Sequence, residues 1–138
     1  MSDIVFNWDK MLNLKGASAP YVQYSYARLR SVLRKTKNKS LSVKIDPALI
    51  KEKQEQALSR HLAHFTEILE DAAARYEPSR LAEYLLKLAE KINHFYESAP
   101  ILSAEPETKK NRLALVEAAA IIIKSGMNLL GIEVPERM

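Results

Sequence analysis

The chain has no cysteine and only three glycines in 138 residues. Without cysteine there is no disulfide framework and no cysteine-ligated zinc or iron–sulfur centre. This fits a reducing compartment, and a cytoplasmic location is expected. Three glycines leave little for a phosphate-cradling loop, and neither GxGxxG nor GxxxxGK[ST] occurs. No stretch approaches the roughly 18–20 apolar residues that span a bilayer, so no membrane partner is expected. The N-terminus carries Asp3 and Asp9 and no apolar run, unlike a signal peptide. The three histidines are His61, His64 and His94. His61 and His64 are one helical turn apart, and Glu67 or Glu97 is a conceivable further ligand. No HExxH or comparable spacing supports a metal site, so none is expected. No motif suggests a Ser–His–Asp arrangement either, and no catalytic residue is assigned.

What remains is ordinary globular composition, 47% hydrophobic and 28% charged, in a length that suits a single domain over 1–138. The charge is distributed unevenly. No acidic residue lies between Asp9 and Asp46. Residues 1–44 carry nine positive charges against two negative ones, a net of +7, whereas the remainder is net −3. Such a dipolar chain steers a polyanion toward its basic end, although a solvated basic surface gives the same pattern.

Helical periodicity dominates from residue 19 onward, after an irregular junction over 1–18. Pro20 suits a first helical turn, and Val22, Tyr26, Leu29 and Leu33 form one buried stripe in a helix reaching about Lys35. A basic loop follows to Lys44, with a short strand conceivable over 41–45. Asp46-Pro47 predicts a helix start. Its pattern runs through Leu58, Leu62, Phe65, Leu69, Ala72 and Tyr76, with a break near Phe65-Thr66 dividing it into one helix or two. Pro78 opens the next helix, with Leu81, Leu85, Leu88, Ile92 and Phe95 inward, ending near Ala99-Pro100. The last helix, about 108–130, is apolar most of the way round, the pattern of a buried central helix. Gly131 predicts its C-cap. The expected fold is all-α, a bundle of four to five helices over 19–138.

The first long helix carries the most suggestive chemistry. Tyr21, Tyr24 and Arg28 fall at i, i+3 and i+7 beside the apolar stripe, with Ser25 on the same side. Arg30 and Arg34 lie one turn apart and reach outward. Aromatic rings beside guanidinium groups suit unpaired bases and phosphates. Tyrosines at a core edge with their hydroxyls outward would look the same.

Several segments resemble the arginyl-tRNA synthetase family. Phe6-Asn7-Trp8-Asp9 and the run Ala19-Pro20-Tyr21-Val22-Gln23-Tyr24-Ser25-Tyr26-Ala27-Arg28 resemble the passage from its catalytic domain into its C-terminal helical domain. Ala82-Glu83-Tyr84-Leu85 and Asn93-His94-Phe95-Tyr96 fit in order. Arg112 to Ala118 looks like the DALR-type signature, with Asn111 where the name has Ala. The tail Leu129 to Met138 is similar to that family's C-terminus. The resemblance covers nearly the whole chain.

It implies a class I synthetase anticodon-binding domain whose partners are the anticodon loop of arginine tRNA and the catalytic domain of the same polypeptide, with neither DNA nor membrane. The helix bearing Tyr21 and Ser25, the loop before it and the chain terminus would cradle the anticodon. Tyr21 matches a tyrosine near the middle anticodon base, and Met138 a terminal residue packing at that base. Ser25 stands where the family often has Ala. Lys15 sits in the loop Asn13-Leu14-Lys15-Gly16 that rearranges around the RNA, and Tyr24, Arg30 and Arg34 complete the candidate RNA contacts. Arg28 lies in the motif, with RNA contact and bracing both open. Lys37-Asn38-Lys39-Ser40 is faintly similar to the KMSKS loop of class I synthetases but is one short mismatched window. His61-Leu62-Ala63-His64 does not match a HIGH motif. The catalytic domain is thus expected to be absent, with ATP and arginine binding elsewhere, no cofactor in this chain and Met1 not the native start. The competing expectation is a helical bundle that binds protein and has no RNA role.

Overall fold

The computed structural model describes residues 7–13, 16–36 and 44–138. Its helices are α1 (Trp8–Met11), α2 (Ala19–Lys35), α3 (Lys53–Ala63), α4 (Phe65–Arg75), α5 (Pro78–Ser98) and α6 (Pro106–Leu129). No strand occurs among the described residues. Of the strand expectation over 41–45, residues 41–43 lie outside them, as does Lys37-Asn38-Lys39-Ser40. The expected all-α bundle is thus five long helices, preceded by the single turn α1 where an irregular junction is expected.

Proline and cap chemistry set the long helices. Pro20, Pro78 and Pro106 occupy first-turn positions, where a missing N–H costs nothing. Ser18 caps α2: its Oγ accepts from Tyr21 N at 3.3 Å and donates to the Asn13 carbonyl. α2 packs on α5 and α6, α3 on the same two helices, and α4 on α5. The core follows: Leu29, Leu58, Leu85, Leu88, Ile92, Phe95, Leu115, Val116 and Ile123 are all essentially inaccessible. α6 is buried over Asn111–Val116 and again at Ala119, Ala120, Ile123, Gly126 and Met127, the central helix its composition predicts. At Gly126 the helices close up, since a Cβ there would meet Leu85 Cδ2 at 2.8 Å.

One expected helix start is displaced. Asp46 does cap a turn, with Oδ1 accepting from Ala48 N at 2.9 Å, but that turn is a three-residue 3₁₀ segment, Pro47–Leu49. The helix proper begins at Lys53 because Glu55 reaches back. Its Oε2 accepts from Lys51 N at 3.0 Å and from Glu52 N at 3.1 Å, closing a capping box. Its other oxygen takes Arg112 Nε, and Arg112 Nη1 donates to the Pro100 carbonyl at 2.8 Å. Beside it, Asn111 and the Asp46 backbone exchange hydrogen bonds of 2.8 and 3.2 Å. The Asn111-Arg112 step thus ties two loops to the central helix, which gives that signature a structural role.

The predicted division near Phe65 is present, with His64 (φ −85°, ψ 1°) between α3 and α4. Against this corner His61 and Tyr84 stack, with centroids 4.3 Å apart and planes 8° from parallel. They also bond each other's backbone: His61 Nε2 donates to the Tyr84 carbonyl at 3.1 Å and Tyr84 Oη to the His61 carbonyl at 2.8 Å. Burial lowers the His61 pKa and raises that of Tyr84 to about 12.

Candidate nucleic-acid interface

α2 carries polar and aromatic side chains on two flanks, one on either side of its buried stripe. At about 100° per residue, Tyr21, Tyr24 and Arg28 share one flank. Gln23, Tyr26, Arg30 and Arg34 share another, roughly 150° round the helix.

The first flank is an aromatic–guanidinium layer. Tyr24 is 38% exposed. The Arg28 guanidinium lies 5.6 Å from the Tyr24 ring centroid and 4.1 Å from that of Tyr96, itself 38% exposed on α5. One cation is held against two tyrosines, within the range of favourable cation–π contact. A relay orients it. Arg28 Nη1 donates to Asn93 Oδ1 at 2.8 Å. Asn93 Nδ2 donates to Ser25 Oγ at 3.1 Å, and Ser25 Oγ donates to the Tyr21 carbonyl at 3.0 Å. Tyr21 is half-buried and packs against the core edge. Arg28 thus braces α2 against α5, with its guanidinium in a layer between two half-exposed rings.

Ser25 is a correction. It is 0% exposed, so it lies behind the flank and not on it. Both of its hydrogen bonds stay inside the protein, because α5 packs over that side of α2. It positions Arg28 through Asn93 and has no surface to offer a base. Tyr96 and Asn93 were missed as site residues. An aromatic residue on the polar side of α5's apolar stripe is the available signal, but its partner lies on another helix.

The second flank holds the chain's own tail. Gly131 takes φ +74° and lets Ile132 N return to the Met127 carbonyl at 2.9 Å, which ends α6 and turns the chain back. Ile132 and Val134 then pack against the core. Gln23 Nε2 donates to the Glu133 carbonyl at 2.7 Å. Tyr26 Oη donates to Glu136 Oε1 at 3.0 Å, Arg30 Nε to Glu136 Oε2 at 2.7 Å, and Arg34 Nη1 to the Glu136 carbonyl at 2.8 Å. The Arg30 hydrogen bond holds the Glu136 carboxyl below the usual carboxylate range, and burial raises the Tyr26 phenol.

Two expectations change accordingly. Arg30 and Arg34 are half-exposed, but both are engaged by Glu136 and are not simply free for phosphate. Met138 is 60% exposed, and the tail residues before it, Glu133 and Glu136, are tied to the flank of α2 away from Tyr21. The tie at Arg30 lies about 14 Å further along the axis than Tyr21. Lys15 lies outside the described residues. No group of three potential metal ligands is found among the described residues, and no described helix is long and apolar enough to cross a membrane.

Comparison with known proteins agrees with this architecture. The family model for the DALR anticodon binding domain matches residues 22–138. An arginine–tRNA ligase of Chloroflexus aurantiacus is 44% identical over 138 residues, 99% of this chain and 24% of that protein. One from Laribacter hongkongensis is 42% identical over 137 residues, 99% of this chain and 23% of that protein. The chain thus spans about a quarter of the length of the curated relatives it matches. Among solved structures, Thermus thermophilus arginyl-tRNA synthetase aligns with TM-score 0.86 and 34% identity, over 96% of this chain and 23% of that one. The Plasmodium falciparum arginyl-tRNA synthetase aligns with TM-score 0.78 and 29% identity, over 99% of this chain and 24% of that one.

Proposed function

We propose, from the premise that this chain belongs to the DALR anticodon binding domain family, that it reads the anticodon loop of arginine tRNA for an arginine–tRNA ligase. The observation that carries this reading is the layer formed by Tyr24 and Arg28, from the basic first third of the chain, with Tyr96 of α5. Unpaired bases stack on the two rings, and Arg28 offers its plane to a base or its charge to a phosphate. The adjoining basic segments, Lys15 among them, bring the phosphate backbone in. Aminoacylation, with its ATP and arginine, belongs to the rest of the synthetase in the cytoplasm, and this segment contributes recognition without catalysis.

The arginine code suits the arrangement. Every arginine anticodon has C in the middle while its neighbours vary. The reader must be strict at one base and permissive beside it. Stacking tolerates any base, whereas a polar contact left unpaired by a wrong base costs roughly 1–3 kcal/mol. The two flanks of α2 allow a loop to straddle the helix, with Tyr21 and Tyr24 on one side and the tail held at Glu136 on the other. No observation favours a protein-binding bundle.

The test is a titration of an arginine anticodon stem-loop into this chain, followed by fluorescence anisotropy. Binding is expected, with log K falling linearly against log salt as phosphate contacts release counterions. No binding at low salt, or equal affinity for a DNA hairpin of the same sequence, would count against the reading.

A further inference from the structure

The tail contact has more organisation than a terminus lying on a surface. Four side chains from one flank of α2 converge on two residues of the tail. Gln23 holds the Glu133 carbonyl, while Tyr26, Arg30 and Arg34 all reach Glu136. The Glu136 side chain is gripped through both oxygens and its own carbonyl through Arg34. Apolar anchors precede it at Ile132 and Val134, and the left-handed turn at Gly131 aims the segment. Arg137 and Met138 lie beyond the grip, and both are exposed.

We propose that Glu136 is a positioning residue, a clasp that fixes the register of Arg137 and Met138 along α2 so that they meet the RNA at a set place. This rests on the anticodon-reading function proposed above and adds the device by which the terminus takes part in it. It also changes the role of Arg30 and Arg34. Their first task is to hold the tail, and whatever phosphate attraction they add is partly offset by the carboxylate between them.

The clasp separates from plain electrostatics because only the clasp changes the C-over-A ratio. Removing the Glu136 charge frees two arginines and makes the surface more attractive to any RNA. On electrostatics alone, Glu136→Gln binds cognate and mismatched loops more tightly by the same factor. The clasp predicts a loss of discrimination instead. The experiment compares this chain with Glu136→Gln and Tyr26→Phe, the second removing one tie at no cost in charge. Affinity is measured for stem-loops with C and with A at the middle anticodon position. Trimming of the C-terminal methionine by a carboxypeptidase reports tail release without RNA.

For Glu136→Gln, trimming is expected to be faster, with unchanged helicity. The C-over-A ratio is expected to fall by about tenfold, the scale of one charge-assisted hydrogen bond. Tyr26→Phe should move both readouts in the same direction by less. Faster trimming with an unchanged ratio overturns the clasp as a determinant of reading, and unchanged trimming overturns it as a clasp. If the unmutated chain itself fails to discriminate, the anticodon-reading function fails and the clasp's part in it fails too, whereas trimming still shows whether Glu136 holds the tail.

Discussion

Arg112→Ala is expected to cost about 3–5 kcal/mol, a large share of the stability of a domain of this size. The reason is what remains behind. Glu55 is 1% exposed, and one of its oxygens faces Arg112. Without the guanidinium, a buried carboxylate keeps only the two backbone donors at Lys51 and Glu52. The Pro100 carbonyl loses its donor as well. Replacing both partners, as Glu55→Gln with Arg112→Met, should recover most of the loss, because the expensive species is the unpaired charge and not the missing bridge. Urea unfolding followed by circular dichroism checks both. A single variant within about 1 kcal/mol of the unmutated chain would show that water reaches Glu55 and that the tie is dispensable.

The second large effect concerns RNA. Tyr24→Ala and Tyr96→Ala should each weaken stem-loop binding by on the order of 1–3 kcal/mol, the range for one stacked base. Both rings are exposed enough for the bundle to survive their loss. The two effects should not add, because both rings flank the same Arg28 guanidinium. Tyr96→Ala removes the closer support and should also loosen Arg28, whereas phenylalanine at either position should keep most of the affinity. If both alanine variants bind within about twofold of the unmutated chain, the layer is not a stacking platform.

The parts of the fold legible in the sequence were those set locally. α2 and α5 announce themselves by a proline in the first turn and an apolar stripe of the right period. α6 declares its central place by being apolar nearly all round. The start of α3 was misread because it depends on Glu55, whose orientation depends on Arg112, 57 residues away. The same limit applies at the site. A helical wheel places Ser25 beside Tyr21 and Arg28 but cannot show that α5 covers it. Nothing near Arg28 in sequence reveals Asn93 or Tyr96. Arg30 and Arg34 look like free cations until the tail returns with Glu136. What chain-local rules supply is a basic, aromatic helix, and what tertiary packing adds is which of its charges are already engaged.

On the proposed function, this helix and the returning tail read the middle anticodon base. The most direct measurement is a competition between two arginine anticodon stem-loops that differ only there, at moderate salt. With C in the middle the loop is expected to bind at least about tenfold more tightly than with A, the cost of one unpaired polar contact. Equal affinity for the two loops would contradict the account and leave the basic face as a general RNA surface.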